Sequence, residues 1–221
     1  MSKKILFITG GLLILVGLLI WLFIESSKPA PGEKVAYNCD NFMDFSKLEN
    51  PNTPDKCRMH VPMGAIVNYS TNPPVFGPHD SSWITKGFYN EPRADGNLIH
   101  SLEHGYVIIS YDCEKKSTSW LIKPAFAQGM TAGSEGSPSA SLESMPESFR
   151  NGSCDNLKKD LKDIYQKNTH KLIVIPRVGM DSPIILTAWG RIEKLSSVDG
   201  GKIKEFIDAF RDAGPEATAE P

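Results

Sequence analysis

No Cys-x-x-Cys pair, no glycine-rich phosphate loop, no dinucleotide fingerprint and no internal repeat occurs in this chain of 221 residues. Thiol–disulfide exchange, nucleotide binding and solenoid architecture therefore lack their usual marks. Dense basic runs are absent as well. Lys115-Lys116 and Lys158-Lys159 are isolated pairs and the net charge is −2, so nucleic acid finds no electrostatic footing. Cysteine is scarce, with four residues at wide spacing.

Against these absences stands one long apolar run. Lys3 and Lys4 precede residues 5–24, which carry no charge. At about 1.5 Å per residue such a helix spans roughly 30 Å, the thickness of a bilayer's hydrocarbon core. Trp21 suits the interfacial position favoured by aromatic rings. The run exceeds the usual signal-peptide core of about 7–15 residues, and no small-x-small cleavage motif ends it. A transmembrane signal-anchor is expected over 5–24, with the lipid bilayer as its partner. Lysines on the two flanks balance and do not orient it. Cys39, Cys57, Cys113 and Cys154 do, because an even set of spaced cysteines suits disulfides formed outside the reducing cytosol. Proximity favours Cys39 with Cys57 and Cys113 with Cys154, among three possible pairings. The expectation is a single-pass protein of the cell membrane, with residues 1–4 inside and the main domain extracytoplasmic.

Residues 25–38, with Pro29 and Pro31, read as a polar tether, and 39–215 fit the size of one domain. Four runs rich in Val, Ile and Tyr read as strands: 65–69, 106–111, 172–175 and 184–188. The turn-rich link between the last two suggests an antiparallel pair. Leu157, Leu161 and Ile164 recur at helical spacing in 155–167, as do Ile203, Phe206, Ile207 and Phe210 in 202–213. Strands and helices do not alternate regularly. The fold class expected is α+β, a small, mostly antiparallel sheet with two amphipathic helices behind the N-terminal transmembrane helix. Residues 125–152 are dominated by Ser, Gly, Ala, Pro and Glu and read as a flexible insertion. Residues 216–221 read as a disordered tail.

The chemistry gathers on histidine. His100 and His104 lie four apart in the run Ile99-His100-Ser101-Leu102-Glu103-His104-Gly105. On a helical turn those positions share a face, so both rings can reach one ion. His79 follows Pro73, Pro74, Gly77 and Pro78, a stiffened loop that suits a third ligand. His60, near Met59 and Met63, is a possible fourth, whereas His170 reads as a surface residue. Glu103 lies at the edge of the same helical face and could orient a ligand, bind metal weakly or act as a base. His-x-x-Glu-His also matches an inverted zinc-protease pattern. That pattern belongs inside a long helix, whereas Gly96 and Gly105 allow only about two turns here. Tyr89 and Tyr111 are candidate hydrogen-bond partners of the ligating imidazoles. Arg191 could neutralise Glu103 or form an ordinary surface pair, and Trp189 reads as core packing.

Several blocks together resemble a family. From about Cys57 to Pro215 the chain is similar to bacterial and archaeal proteins grouped as domain of unknown function 3105. The likeness rests on His60, Pro73-Pro74, Gly77-Pro78-His79 and Gly87-Phe88-Tyr89, then on 100–105 and Leu186-Thr187-Ala188-Trp189-Gly190-Arg191. Val75-Phe76 stands where the family pattern has Thr-Ser, which makes this loop more apolar. The resemblance implies shared architecture, a shared histidine site and a membrane-anchored or secreted setting. It implies no catalytic activity.

Two functional classes follow. One is an extracytoplasmic domain that binds a transition metal through His79, His100 and His104, with His60, for storage, delivery or sensing. Imidazole suits copper and zinc, and the thioethers of Met59, Met63 and Met180 rank copper marginally first. The other is a metal-dependent hydrolase with Glu103 as general base, which ranks below it. A structural or interaction domain without metal is the plain alternative, and no partner protein can be read from the chain.

Overall fold

The computed structural model describes residues 3–48, 54–115, 145–216 and 218–219. In chain order the elements are helix α1 (Lys3–Ser26), strands β1 (Glu33–Lys34) and β2 (Gly87–Phe88), helix α2 (Asp95–Glu103), strand β3 (Val107–Tyr111), helix α3 (Asp155–Lys167), strands β4 (Leu172–Pro176), β5 (Ile184–Ala188) and β6 (Arg191–Leu195), and helix α4 (Gly200–Phe210). Residues 1–30 and 31–221 are separate compact units.

In the first unit, the described side chains are those of 11–23 and 27–30, and the large apolar ones among them are exposed. Among the described residues no helix is long and apolar enough to cross a membrane. The transmembrane helix expected over 5–24 is not found among the described residues.

The second unit is α+β around one six-stranded sheet of order β1-β6-β5-β3-β4-β2. The sheet is mixed, not mostly antiparallel: β3 runs parallel to β4, and β4 parallel to β2, while β5 is antiparallel to β3 and β6. The expected hairpin between β4 and β5 does not form, because β3 lies between them. All residues of β3, β4 and β5 are buried. Strands apolar on both faces belong in the middle of a covered sheet, and near-continuous apolar runs mark such strands. By contrast β6 buries only Ile192 and Leu195.

Alternate residues feed opposite faces. Val107, Ile109, Tyr111, Leu172, Val174 and Leu186 pack against Leu161 of α3 and Ile203, Phe206 and Ile207 of α4. On the other face, Ile108, Ile173 and Ile175 meet Leu98 and Leu102 of α2. Ile185 and Ile192 meet the loop residues Cys57, Met59, Val75 and Phe76. His60, His79, His100 and His104 sit in this second layer.

Several expected boundaries move. Residues 65–69 form no strand: Ala65 N–H donates to Pro62 O and Asn68 N–H to Phe42 O, so local loops take up their bonds. The tether contains β1, which extends the sheet beside β6, and Val35 N–H donates to Gly190 O. Most of the expected insertion, 125–144, lies outside the described residues. Its last part belongs to the core, since Met145 and Phe149 are buried against the α3–α4 face. The expected tail begins with a fastened residue, Glu216, whose N–H donates to Glu103 O at 3.0 Å. Helix α4 starts at Gly200 because Asp199 accepts from Gly201 N–H and Lys202 N–H. Both favoured disulfides are present, Cys39–Cys57 and Cys113–Cys154.

Candidate metal centre

Two loops and one helix converge over the second face of the sheet. A short turn, Lys56–Arg58, is capped by Asp55, which accepts from Cys57 N–H at 3.0 Å, and is tied to Cys39 by the disulfide. Beyond it the chain forms an isolated bridge to the proline-rich loop. Val61 N–H donates to His79 O at 2.8 Å and His79 N–H to Met59 O at 3.0 Å, which sets His60 opposite His79. Gly77 is held at φ +142°, and a Cβ there would lie 2.8 Å from the Tyr69 ring. Only glycine fits, and its carbonyl is thereby set against the His79 ring.

Helix α2 is buried from Leu98 to Glu103. Its first turn is gripped by Arg177, whose Nη1 and Nη2 bond Asp95 at 2.5 and 2.9 Å. Ser101 pins the 80–84 loop across it, donating to Ile84 O at 2.8 Å and accepting from Ile84 N–H at 2.9 Å. The C-terminal segment closes the other end. Asp212 N–H donates to Gly105 O at 2.9 Å, and Lys171 Nζ bonds His104 O and Thr218 O, both at 2.8 Å.

The imidazole tautomers follow from the acceptors. His79 Nδ1 lies 2.7 Å from Gly77 O, and His100 Nδ1 lies 2.8 Å from Asp80 O. A carbonyl only accepts, so each Nδ1 carries the proton and each Nε2 of the neutral ring presents a lone pair. This arrangement orients metal-binding histidines. His79 Nε2 points at Glu103 Oε2, 3.0 Å away. Both atoms are buried, and neither makes a hydrogen bond of acceptable geometry. With Nδ1–H committed elsewhere, two lone pairs face each other unless the ring becomes an imidazolium or a cation lies between them.

Ligand atoms of His60, His79, His100 and Glu103 all lie within 4.8 Å of one another. Bonds of about 2.1 Å put ligands roughly 3.4 Å apart around a tetrahedral ion, so the widest pairs need to close modestly. The residues thus fit a metal ion: three imidazoles, two already in the ligating tautomer, and one carboxylate. His60 is exposed while the other three are buried, which leaves the group open on one side. His104 belongs to a second group with His100 and Glu216, again within 4.8 Å.

Arg58 sets the electrostatics. Its Nε bonds Glu103 Oε1 at 2.6 Å and its Nη2 bonds Glu216 Oε1 at 3.0 Å. Burial pushes the Glu103 carboxyl up, but the His79 ring in its protonated form and the Arg58 guanidinium outweigh it and hold the group below its ordinary range. A carboxylate so held stays ionised and is a ready anionic ligand. Burial also lowers the His100 pKa, against the bond to Asp80, and favours the neutral ring that binds metal.

The expected residues are redistributed. His60, His79 and His100 converge with Glu103, which stands among the ligand atoms rather than behind them. His104 is grouped instead with His100 and Glu216, its Nε2 3.0 Å from that of His100. Tyr89 OH donates to Thr85 O, and Tyr111 packs with Phe88 and Phe149 on the opposite face of the sheet; among the described residues neither is hydrogen-bonded to an imidazole. Arg191 lies over the Phe210 ring, while Arg58 neutralises Glu103. Met59 and Met180 are core residues and Met63 is 83% exposed, so the thioether argument for copper gives way to packing. Trp189 packs edge-on to His79, and His170 is exposed beside Asp212. Sequence reasoning missed Arg58, Asp80, Trp83 and Glu216, which carry no local motif, and the role of Ser101 inside the 100–105 run. Trp83 covers His104 and His100, its ring 4.8 and 5.5 Å away.

No curated protein and no solved structure matches this chain. One family model does, over residues 60–125 and 148–221, and it spans every residue of the histidine groups described above. The chain belongs to the family described as protein of unknown function (DUF3105).

Proposed function

We propose that this domain holds a divalent transition-metal ion through His60, His79, His100 and Glu103, for storage, delivery or sensing. One observation carries the reading: His79 Nε2 and Glu103 Oε2 are buried, 3.0 Å apart and without a hydrogen bond, two acceptors face to face as long as the ring is neutral. Leaving two such acceptors unpaired costs about 1–3 kcal/mol each, and more for a charged group. A cation between them removes that cost. Three nitrogens and one carboxylate oxygen suit copper(II) or zinc, and disfavour copper(I), which prefers sulfur.

The same reading sets the domain outside the cytoplasm, tethered to a bilayer through residues 5–24. Two disulfides support an oxidising compartment. The exposed apolar side chains of α1 support a membrane partner.

Metal content of the full chain, purified in detergent from an oxidising compartment, tests the proposal. Wild type should carry one ion after exposure to copper(II) or zinc. His79→Ala and His100→Ala should each cut occupancy at least tenfold, in line with loss of a ligand. Equal and negligible occupancy in all three proteins would sink it and leave a structural or interaction domain.

A further inference from the structure

We propose that His100, His104 and Glu216 form a second ion position that overlaps the first and exchanges with it, so that the ion steps between two ligand sets while His100 stays bound. This rests on the metal-binding reading above.

The argument starts from one lone pair. His100 Nδ1 donates its proton to Asp80 O, so Nε2 is the only atom the neutral ring can offer a metal. His100 belongs to both groups, the one with His60, His79 and Glu103 and the one with His104 and Glu216, and with Nδ1 committed to Asp80 it can offer only Nε2 to either. An imidazole nitrogen binds one ion at a time, hence the positions are alternatives and cannot fill together. For His104 to bind, its proton moves from Nε2, where it serves the 3.0 Å contact with His100, to Nδ1. This is a tautomer change with no net charge.

The two sets differ in burial. Glu103 is 1% exposed and Glu216 is 40% exposed, so the second set offers its carboxylate to solvent. Arg58 links them, bonding Glu103 Oε1 and Glu216 Oε1 and leaving the Oε2 atoms to face the imidazoles: Glu103 Oε2 at His79 and Glu216 Oε2 at His104, 3.4 Å away. One guanidinium therefore holds both carboxylates ready. An ion captured by His104 and Glu216 can move to Glu103 and His79 without passing through a ligand-free state. Trp83, 43% exposed, covers both rings of the stepping pair and reports on it.

The test uses copper(II) as the probe on the full chain, with Trp83 fluorescence quenching followed in stopped flow and Trp83→Phe to assign the signal. Wild type should saturate at one equivalent. His104→Ala and Glu216→Gln should still take up one equivalent, now confined to the buried set, while loading and removal by a chelator both slow about tenfold. Circular dichroism checks that each variant is folded, and the isosteric Glu216→Gln keeps the backbone bond to Glu103 O. Two equivalents in wild type would overturn the overlap. Weakened affinity with faster removal would make His104 and Glu216 resident ligands and overturn the exchange role. Unchanged rates would route the ion past the exposed His60 and also overturn it. Absence of any copper or zinc on wild type is a separate result, which removes the metal reading itself.

Discussion

Gly214→Ala tests whether the C-terminal segment is part of the centre. A Cβ at this position would lie 2.2 Å from Glu103 O and 2.3 Å from Gly105 N. Both are backbone atoms at the end of α2, so no side chain can swing aside and the segment itself must lift. Lifting it breaks the bonds from Asp212 N–H to Gly105 O and from Glu216 N–H to Glu103 O, each worth about 1 kcal/mol. It also loosens the ion pair of Lys171 with Asp212 and that of Arg58 with Glu216, where exposure limits each to about 1 kcal/mol or less. The sum is about 2–4 kcal/mol, or roughly 4–16 °C in Tm for a domain of this size. Thermal unfolding followed by circular dichroism measures it. The loading rate for copper(II) should fall together with Tm, because Glu216 leaves with the segment. A variant melting within a degree or two of wild type would refute the close packing, and one that melts low but loads normally would detach Glu216 from the exchange path.

Other outcomes follow from the same geometry. Burial raises the Asp212 pKa, but its bond to Lys171, with help from His170, holds it below the ordinary value. Its stabilising share is therefore full above the normal carboxylate range and disappears as pH falls through the lowered pKa. Asp212→Asn should lose stability at neutral pH and match wild type in strong acid; a constant deficit across that range would contradict the linkage. Replacing Cys113 and Cys154 by alanine frees a separation of 41 residues and should cost about 4 kcal/mol in chemical denaturation, subject to the loop-entropy treatment. Replacing Cys39 and Cys57, separated by 18, should cost about 3 kcal/mol but should weaken copper binding more, because Arg58 and His60 follow Cys57 directly. Equal metal affinity in the two double variants would argue against that positioning role.

What could be read along the chain was local. The span of α3 and the bounds of β5 follow from periodicity and composition, the disulfide pairs from proximity, and the shared face of His100 and His104 from helical spacing. The apolar runs at β3, β4 and β5 already marked strands covered on both sides, a signal of a mixed or parallel sheet that alternation alone does not capture. Which strand lies between which is a matter of long-range pairing: β3 separates β4 from β5, although those two are neighbours in sequence.

The ligand set was half legible for a related reason. Spacing states that two rings share a helix face, but not how a third group approaches that face or which ring nitrogen keeps its proton. The Asp80 carbonyl turns His100, a bridge between loops brings His60 to His79, and Arg58 reaches Glu103 across 45 residues and Glu216 across 158. Helical turns and disulfide partners depend on neighbours a few residues away, so one sequence determines them. The choice of Glu103 over His104 as partner to His79 depends on the direction of bonds from distant segments, and only the folded chain decides it.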